Sequence, residues 1–122
     1  MTVKLLIRNT SRQNVLADAA GIADTSQKRR QGLLKHTELL PGDGLWIVPC
    51  EAVHTFGMKF PIDVVYLSKQ KKVLKIRPNM KISRISVCLR AYSVLELPAG
   101  RAAELGAQVG DQLEFVKTKV EA

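Results

Sequence analysis

The stretch formed by residues 44–67, GLWIVPCEAVHTFGMKFPIDVVYL, limits the fold of this chain more than any other, because its apolar residues come in short runs broken by proline and glycine. Residues 45–48 are a continuous apolar run of the kind a doubly buried strand carries, closed by Pro49. Residues 50–59 read as an extended segment with a bulge at Gly57, and residues 62–67 as a strand rich in β-branched side chains. A second strand, residues 72–76, pairs with it across the turn Lys69-Gln70-Lys71-Lys72. The same stretch holds the single tryptophan, Cys50, His54 and Asp63, so chemistry is expected to gather there.

The rest of the chain repeats the pattern of short strands and turns. Val3, Leu5 and Ile7 alternate with charge in a first strand, and residues 14–17 make a partner that extends through Ile22 and Ala23 after a break at Gly21. Asp24, Thr25 and Ser26 offer capping oxygens to a short helix over residues 27–36, with Leu33 and Leu34 facing the core and Lys28, Arg29 and Arg30 in water. Residues 78–86 read as an irregular excursion, residues 92–97 as a strand, residues 101–105 as one or two helical turns ended by Gly106, and residues 112–116 as the last strand. The expected class is mainly β, a β-rich α+β single domain over residues 1–122: a small, partly closed barrel or sandwich of about seven short strands with one or two short helices, without alternating βαβ units. In such a barrel polar groups converge at the mouth.

At 122 residues the chain is long enough to stabilise its own core without disulfide or metal. No apolar run approaches the roughly 18 residues that cross a bilayer, and the N-terminus lacks the features of a signal peptide, so the expectation is a cytoplasmic chain with no membrane partner. Cys50 and Cys88 are expected as free thiols. The formal charge of +8 gathers at Lys28 to Arg30 and between Lys69 and Arg84, a footprint for polyanions. No nucleic-acid-binding signature accompanies it, and a solvated hairpin tip accounts for it equally well.

Two acids stand where acids are uncommon, Asp63 on the Val65 and Leu67 side of its strand and Glu96 enclosed in SVLELP. Each is either a satisfied scaffold group, Asp63 through backbone N–H donors of the bulged Phe56-Gly57 loop or through Arg29, and Glu96 by tying down a neighbouring turn, or a ligand-binding or acid/base group. Cys50 and His54 are the weak catalytic candidates, as a thiol with an imidazole that would meet across a bend. An inert core thiol and a histidine bonded to the backbone or to Asp63 are the competing readings. Cysteine and histidine spacing supports no metal site, no cofactor fingerprint is present, and Trp46, Phe56, Met58 and Phe60 suit an apolar pocket wall with Lys59 at its rim.

The motifs R-x-x-G-L at residues 29–33, G-L-W at 44–46, VHTFGMKFPIDVV at 53–65, VLELPAG at 94–100 and G-D at 110–111 together resemble the uncharacterised domain-of-unknown-function family 192, in its histidine-bearing HTFGM variant. The resemblance runs from about Ala23 to Phe115 and implies a small β-rich domain without bringing an activity. The polar positions that match the family pattern are Arg29, His54, Thr55, Lys59, Asp63 and Glu96.

The function expected from these residues is binding of a small polar or anionic ligand at the barrel mouth, by Arg29 and Lys59 as anion contacts, His54, Asp63, Thr55 and Glu96 as polar groups, and Trp46 or Met58 as apolar wall. A Cys50/His54 enzyme and a module that offers its basic hairpin to an acidic partner or RNA are the alternatives.

Overall fold

In the computed structural model, which describes residues 2–120, the chain runs β1 (Thr2–Asn9), β2 (Asn14–Ala23), α1 (Ser26–Gln31), β3 (Asp43–Ile47), β4 (Ala52–His54), β5 (Ile62–Leu67), β6 (Val73–Met80), β7 (Ile85–Val87), β8 (Ser93–Pro98), α2 (Arg101–Glu104) and β9 (Leu113–Val120). Seven strands form one sheet in the order β6-β5-β8-β3-β2-β1-β9, while β4 and β7 pair as a separate ribbon. The mainly β class with two short helices is as expected, with nine strands among the described residues rather than about seven.

The sheet is not closed into a barrel. Its edge strands meet at one end, where Lys72 bridges Gln112, Val73 donates its N–H to Asp111 O at 2.8 Å and Leu113 donates to Lys71 O at 3.0 Å. Beyond that point β6 follows β5 and β9 follows β1, so the arrangement is sandwich-like, with a separate core on each face of the sheet. Leu5, Ile7, Leu16, Val65, Leu67, Leu95 and Leu97 fill one core; Leu33, Val53, Met58, Ile62, Val64, Tyr66, Met80 and Val94 fill the other. β5 explains why both exist: all six of its residues are buried, and alternate side chains enter opposite cores.

One strand pair is parallel, a single βαβ unit in a sheet whose other pairs are antiparallel. β2 runs beside β3 in register Ala20 to Gly44 and Ile22 to Trp46. Parallel neighbours need a long crossover, and residues 24–42, with α1 among them, provide it. Gly21 does not break β2, since it stays in the strand opposite Leu45. Gly44 is a tight position, because a Cβ there would lie 3.0 Å from Glu96 O on β8 and the strands would have to give slightly.

Local differences from the sequence reading have identifiable causes. α1 is shorter than residues 27–36 because Gly32 takes φ 48° and ends it, leaving Leu33 buried beyond the helix. Thr25 caps it, its hydroxyl accepting from Lys28 N at 3.2 Å. Gly57 is the corner of a turn (φ 81°) rather than a bulge. β6 runs on to Met80 through a register shift opposite Ile62 and Val64, and β7 begins within the stretch read as irregular.

Candidate functional site

Strand alternation decides what the two buried acids do. β8 pairs with β5 in register Leu97 to Asp63 and Glu96 to Val64, so the acids stand one step apart and face opposite sides of the sheet. Glu96 lies on the Val94 side, toward the core that contains Leu33, Val53 and Met58. There it borders a cavity of about 320 Å³.

Three parts of the chain wall this cavity. The crossover contributes Ser26, Arg29, Arg30, Gln31 and residues 32–34; β3 and the segment after it contribute Ile47, Pro49 and Cys50; β4 and its turn contribute residues 52–54 and Met58. The parallel β2–β3 connection is therefore what carries the arginines of α1 over this face. Arg29 is half-buried, and Arg30 and His54 are exposed at the edge. Among the described residues neither arginine makes an ion pair.

Glu96 is 3% exposed, and among the described residues its carboxyl has no hydrogen-bond or ion-pair partner. Burial alone raises its pKa to about 7, so near neutrality it is close to half protonated and can both donate and accept. Arg29 and Glu96 line one cavity without bridging it.

Cys50 and His54 are brought to the same cavity. Burial, followed by the negative charge of Glu96, pushes the Cys50 thiol upward, while the backbone of Ala52 and the charge of Arg29 work the other way without outweighing it. The thiol donates to Ala52 O at 3.2 Å and stays a thiol at neutral pH. The imidazole of His54 lies 6.0 Å from the Phe56 ring, centroid to centroid.

The remaining sequence candidates lie outside the cavity wall. Asp63 is fully buried, accepting from Asn79 N at 2.8 Å, Gly100 N at 3.1 Å and Ala102 N at 2.8 Å. It is held by backbone donors, as one sequence reading has it, but these come from the β6 register shift and the start of α2 instead of the Phe56-Gly57 turn or Arg29. Thr55 is buried, donating to Lys81 O at 2.6 Å and accepting from Arg84 N at 2.9 Å. Trp46 packs edge-on against Phe115 at 4.9 Å in the opposite core, with Lys71 Nζ 5.4 Å from its ring centre. Lys59 is exposed beside the turn.

Ser26, Arg30 and Gln31 border the cavity without having been singled out by sequence. Their signal was faint: adjacent arginines on a short polar helix look like a solvated face until the crossover lays that helix over the sheet. A wider depression of about 700 Å³, bordered by Lys4, Asp24, Lys28, His36 and Asp43, lies on the far side of the crossover and holds no buried unpartnered acid.

Fold and cavity thus define a small β-rich protein with a pocket bordered by arginine and a buried acid. The family model described as "Uncharacterized ACR, COG1430", DUF192, matches residues 7–115, and the chain belongs to this family. It is 33% identical over 102 residues to the UPF0127 protein PYRAB11210 of Pyrococcus abyssi, covering 78% of this chain and 84% of that one. A crystal structure of a protein of unknown function from Novosphingobium aromaticivorans superposes with a TM-score of 0.78 at 25% identity, covering 90% of this chain and 82% of that one. A Sinorhizobium meliloti protein described as a candidate transcription regulator gives 0.82 at 21% identity, covering 94% of each chain, which is likeness of fold. Among the described residues no helix is long and apolar enough to cross a membrane, and no group of three or more histidine, cysteine, aspartate or glutamate side chains is placed to hold a metal ion.

Proposed function

We propose that the cavity binds a small ligand with an anionic group at one end and a hydrogen-bonding group at the other. Arg29, with Arg30 and His54 at the edge, takes the anionic end, Glu96 the polar end, and Met58, Leu33 and Ile47 pack against what lies between. The observation that carries this reading is that the buried carboxyl of Glu96, which has no hydrogen-bond or ion-pair partner among the described residues, lines the same cavity as Arg29, which makes no ion pair among them. A buried polar group without a partner costs about 1–3 kcal/mol, so a ligand that bonds it recovers stability that the free protein lacks.

A thermal-shift screen of phosphorylated metabolites, carboxylic acids and amino acids tests the proposal. A true ligand at a hundredfold excess over its Kd adds about 2.7 kcal/mol. Arg29→Ala, with Arg30→Ala as a second variant, is expected to remove that shift while leaving the unliganded Tm in place. Absence of any shift from these classes, or shifts that survive both variants, would defeat the reading. The Cys50/His54 enzyme gains nothing from a thiol kept protonated. The basic-hairpin reading is weakened because Lys69 and Lys71 lie over aromatic rings, at 5.5 Å from Tyr92 and 5.2 Å from Phe115.

A further inference from the structure

The β4–β7 ribbon has an inner and an outer side. Val53 and Ser86 face inward and are buried, whereas Ala52, His54, Ile85 and Val87 face outward and are exposed. Ile85 is 63% exposed and Leu89, just past the ribbon, 75%. Phe56 continues the outer side beyond His54, and Ile82 lies on the loop that Thr55 ties down. Exposed large apolar side chains gathered on a short ribbon and its loops are a surface in want of a partner.

The charge around this patch indicates which partner. Lys59, Lys81, Arg84 and Arg90 are exposed on the same ribbon and its flanking loops. Between Ala52 and Leu95 the single acidic residue is Asp63, which is buried and faces away; one exposed acid, Glu51, stands at the end of the ribbon, its carbonyl accepting from Cys88 N at 2.8 Å. Apolar tips ringed by four cations, against the single peripheral acid Glu51, match the boundary of an anionic bilayer: phosphates outside, acyl chains beneath. A protein partner would leave Ile85 and Leu89 without an equally uniform complement.

We propose that the outer side of the β4–β7 ribbon docks on an anionic lipid surface. Ile85, Leu89, Phe56 and Ile82 enter the headgroup region while Lys81, Arg84 and Arg90 contact phosphates. The expectation of no membrane partner rested on the lack of a spanning segment, which does not bear on interfacial docking. His54 stands both on this side and at the cavity edge, so a docked protein holds its pocket beside the lipid.

Co-sedimentation of the whole chain with vesicles tests the proposal. The protein is expected to pellet with vesicles of phosphatidylcholine mixed with phosphatidylglycerol, to stay in solution with phosphatidylcholine alone, and to be released by high salt. The exposed double substitution Ile85→Ser with Leu89→Ser, and separately Lys81→Glu with Arg90→Glu, should each lower the partition coefficient by about tenfold or more, with Tm unchanged. Charge reversal at the exposed Arg8 of β1 and Lys117 of β9, outside the ribbon, should lower it far less. No pelleting, equal losses from the distal reversal, or pelleting insensitive to Ile85 and Leu89 would overturn the proposal. So would capture of an acidic polypeptide such as polyglutamate, or a dimer, through these residues in a chain that ignores vesicles.

Discussion

Asp63 and Glu96 show how one residue's surroundings decide whether a buried acid supports the fold or strains it. Three backbone N–H groups surround the Asp63 carboxyl, so Asp63→Asn turns an amide donor toward one of them, Ala102 N–H if the amide replaces Oδ2. The expected loss is about 1–3 kcal/mol, seen as a Tm lower by several degrees; an unchanged Tm would show that the carboxyl does not hold this junction. Glu96 is the opposite case. Its folded pKa of about 7 lies above the unfolded value of about 4.3, so its protonated form favours folding and that contribution is complete below the unfolded pKa. The contribution drains away as pH rises through 7, by at most about 4 kcal/mol. Glu96→Gln keeps a neutral polar group there, so the variant should match wild type near pH 5 and exceed it at pH 8. Parallel stability curves for the two proteins would mean that Glu96 titrates like a solvated acid. Sequence alone could tell that both acids were enclosed, but not their sides, because that needs the register between β5 and β8.

At the scale of elements, the cavity exists because two connections are pinned. Thr55 pins one: it joins the end of β4 to the loop before β7 through its hydroxyl and through Thr55 N to Arg84 O at 2.9 Å. Thr55→Val keeps the shape and removes the hydroxyl, depriving Lys81 O of its donor and Arg84 N of its acceptor. A loss of about 2 kcal/mol is expected, read as a lower urea midpoint with unchanged slope, and Thr55→Ser should restore most of it. A Thr55→Val protein as stable as wild type would leave the ribbon held by its backbone pairs alone. The other connection is the β2-α1-β3 crossover, and it marks where sequence reading stopped. The hairpin of β5 and β6, the cap at Thr25 and the apolar run of β3 are local signals and were legible. The parallel pairing of β2 with β3 is set by contacts between Gly21, Leu45 and the strands around them, which no local pattern announces. Sequence names Arg29 as an anion contact and puts Arg30 in a cationic cluster, but only that pairing brings them to the cavity that Glu96 lines.

Across the whole molecule, the unclosed sheet is held where its edges touch, and Asp111 sits at that point. Its carbonyl accepts from Val73 N, while its carboxyl accepts from Asn9 Nδ2 at 2.8 Å, Arg12 Nε at 3.1 Å and Gln108 N at 2.9 Å. It thereby ties the β1–β2 turn and the approach to β9 to the start of β6. Burial favours its neutral form, but the hydrogen bonds from Arg12, Asn9 and Gln108 and the charge of Arg12 outweigh that and hold the pKa below the ordinary aspartate range. A depressed folded pKa means that the stabilisation is complete above the unfolded value of about 3.9 and is lost as pH falls through the folded one. Asp111→Asn removes the charge and sets an amide against donors. It should cost about 2 kcal/mol at neutral pH, with Arg12 being partly exposed and its ion pair discounted accordingly. The penalty should shrink below about pH 4, where wild type gives up the same interactions. Urea unfolding of both proteins from neutral pH down to pH 3 measures this directly: converging curves place the contact between the sheet edges under control of this carboxylate, and a constant gap would remove its charge from the account.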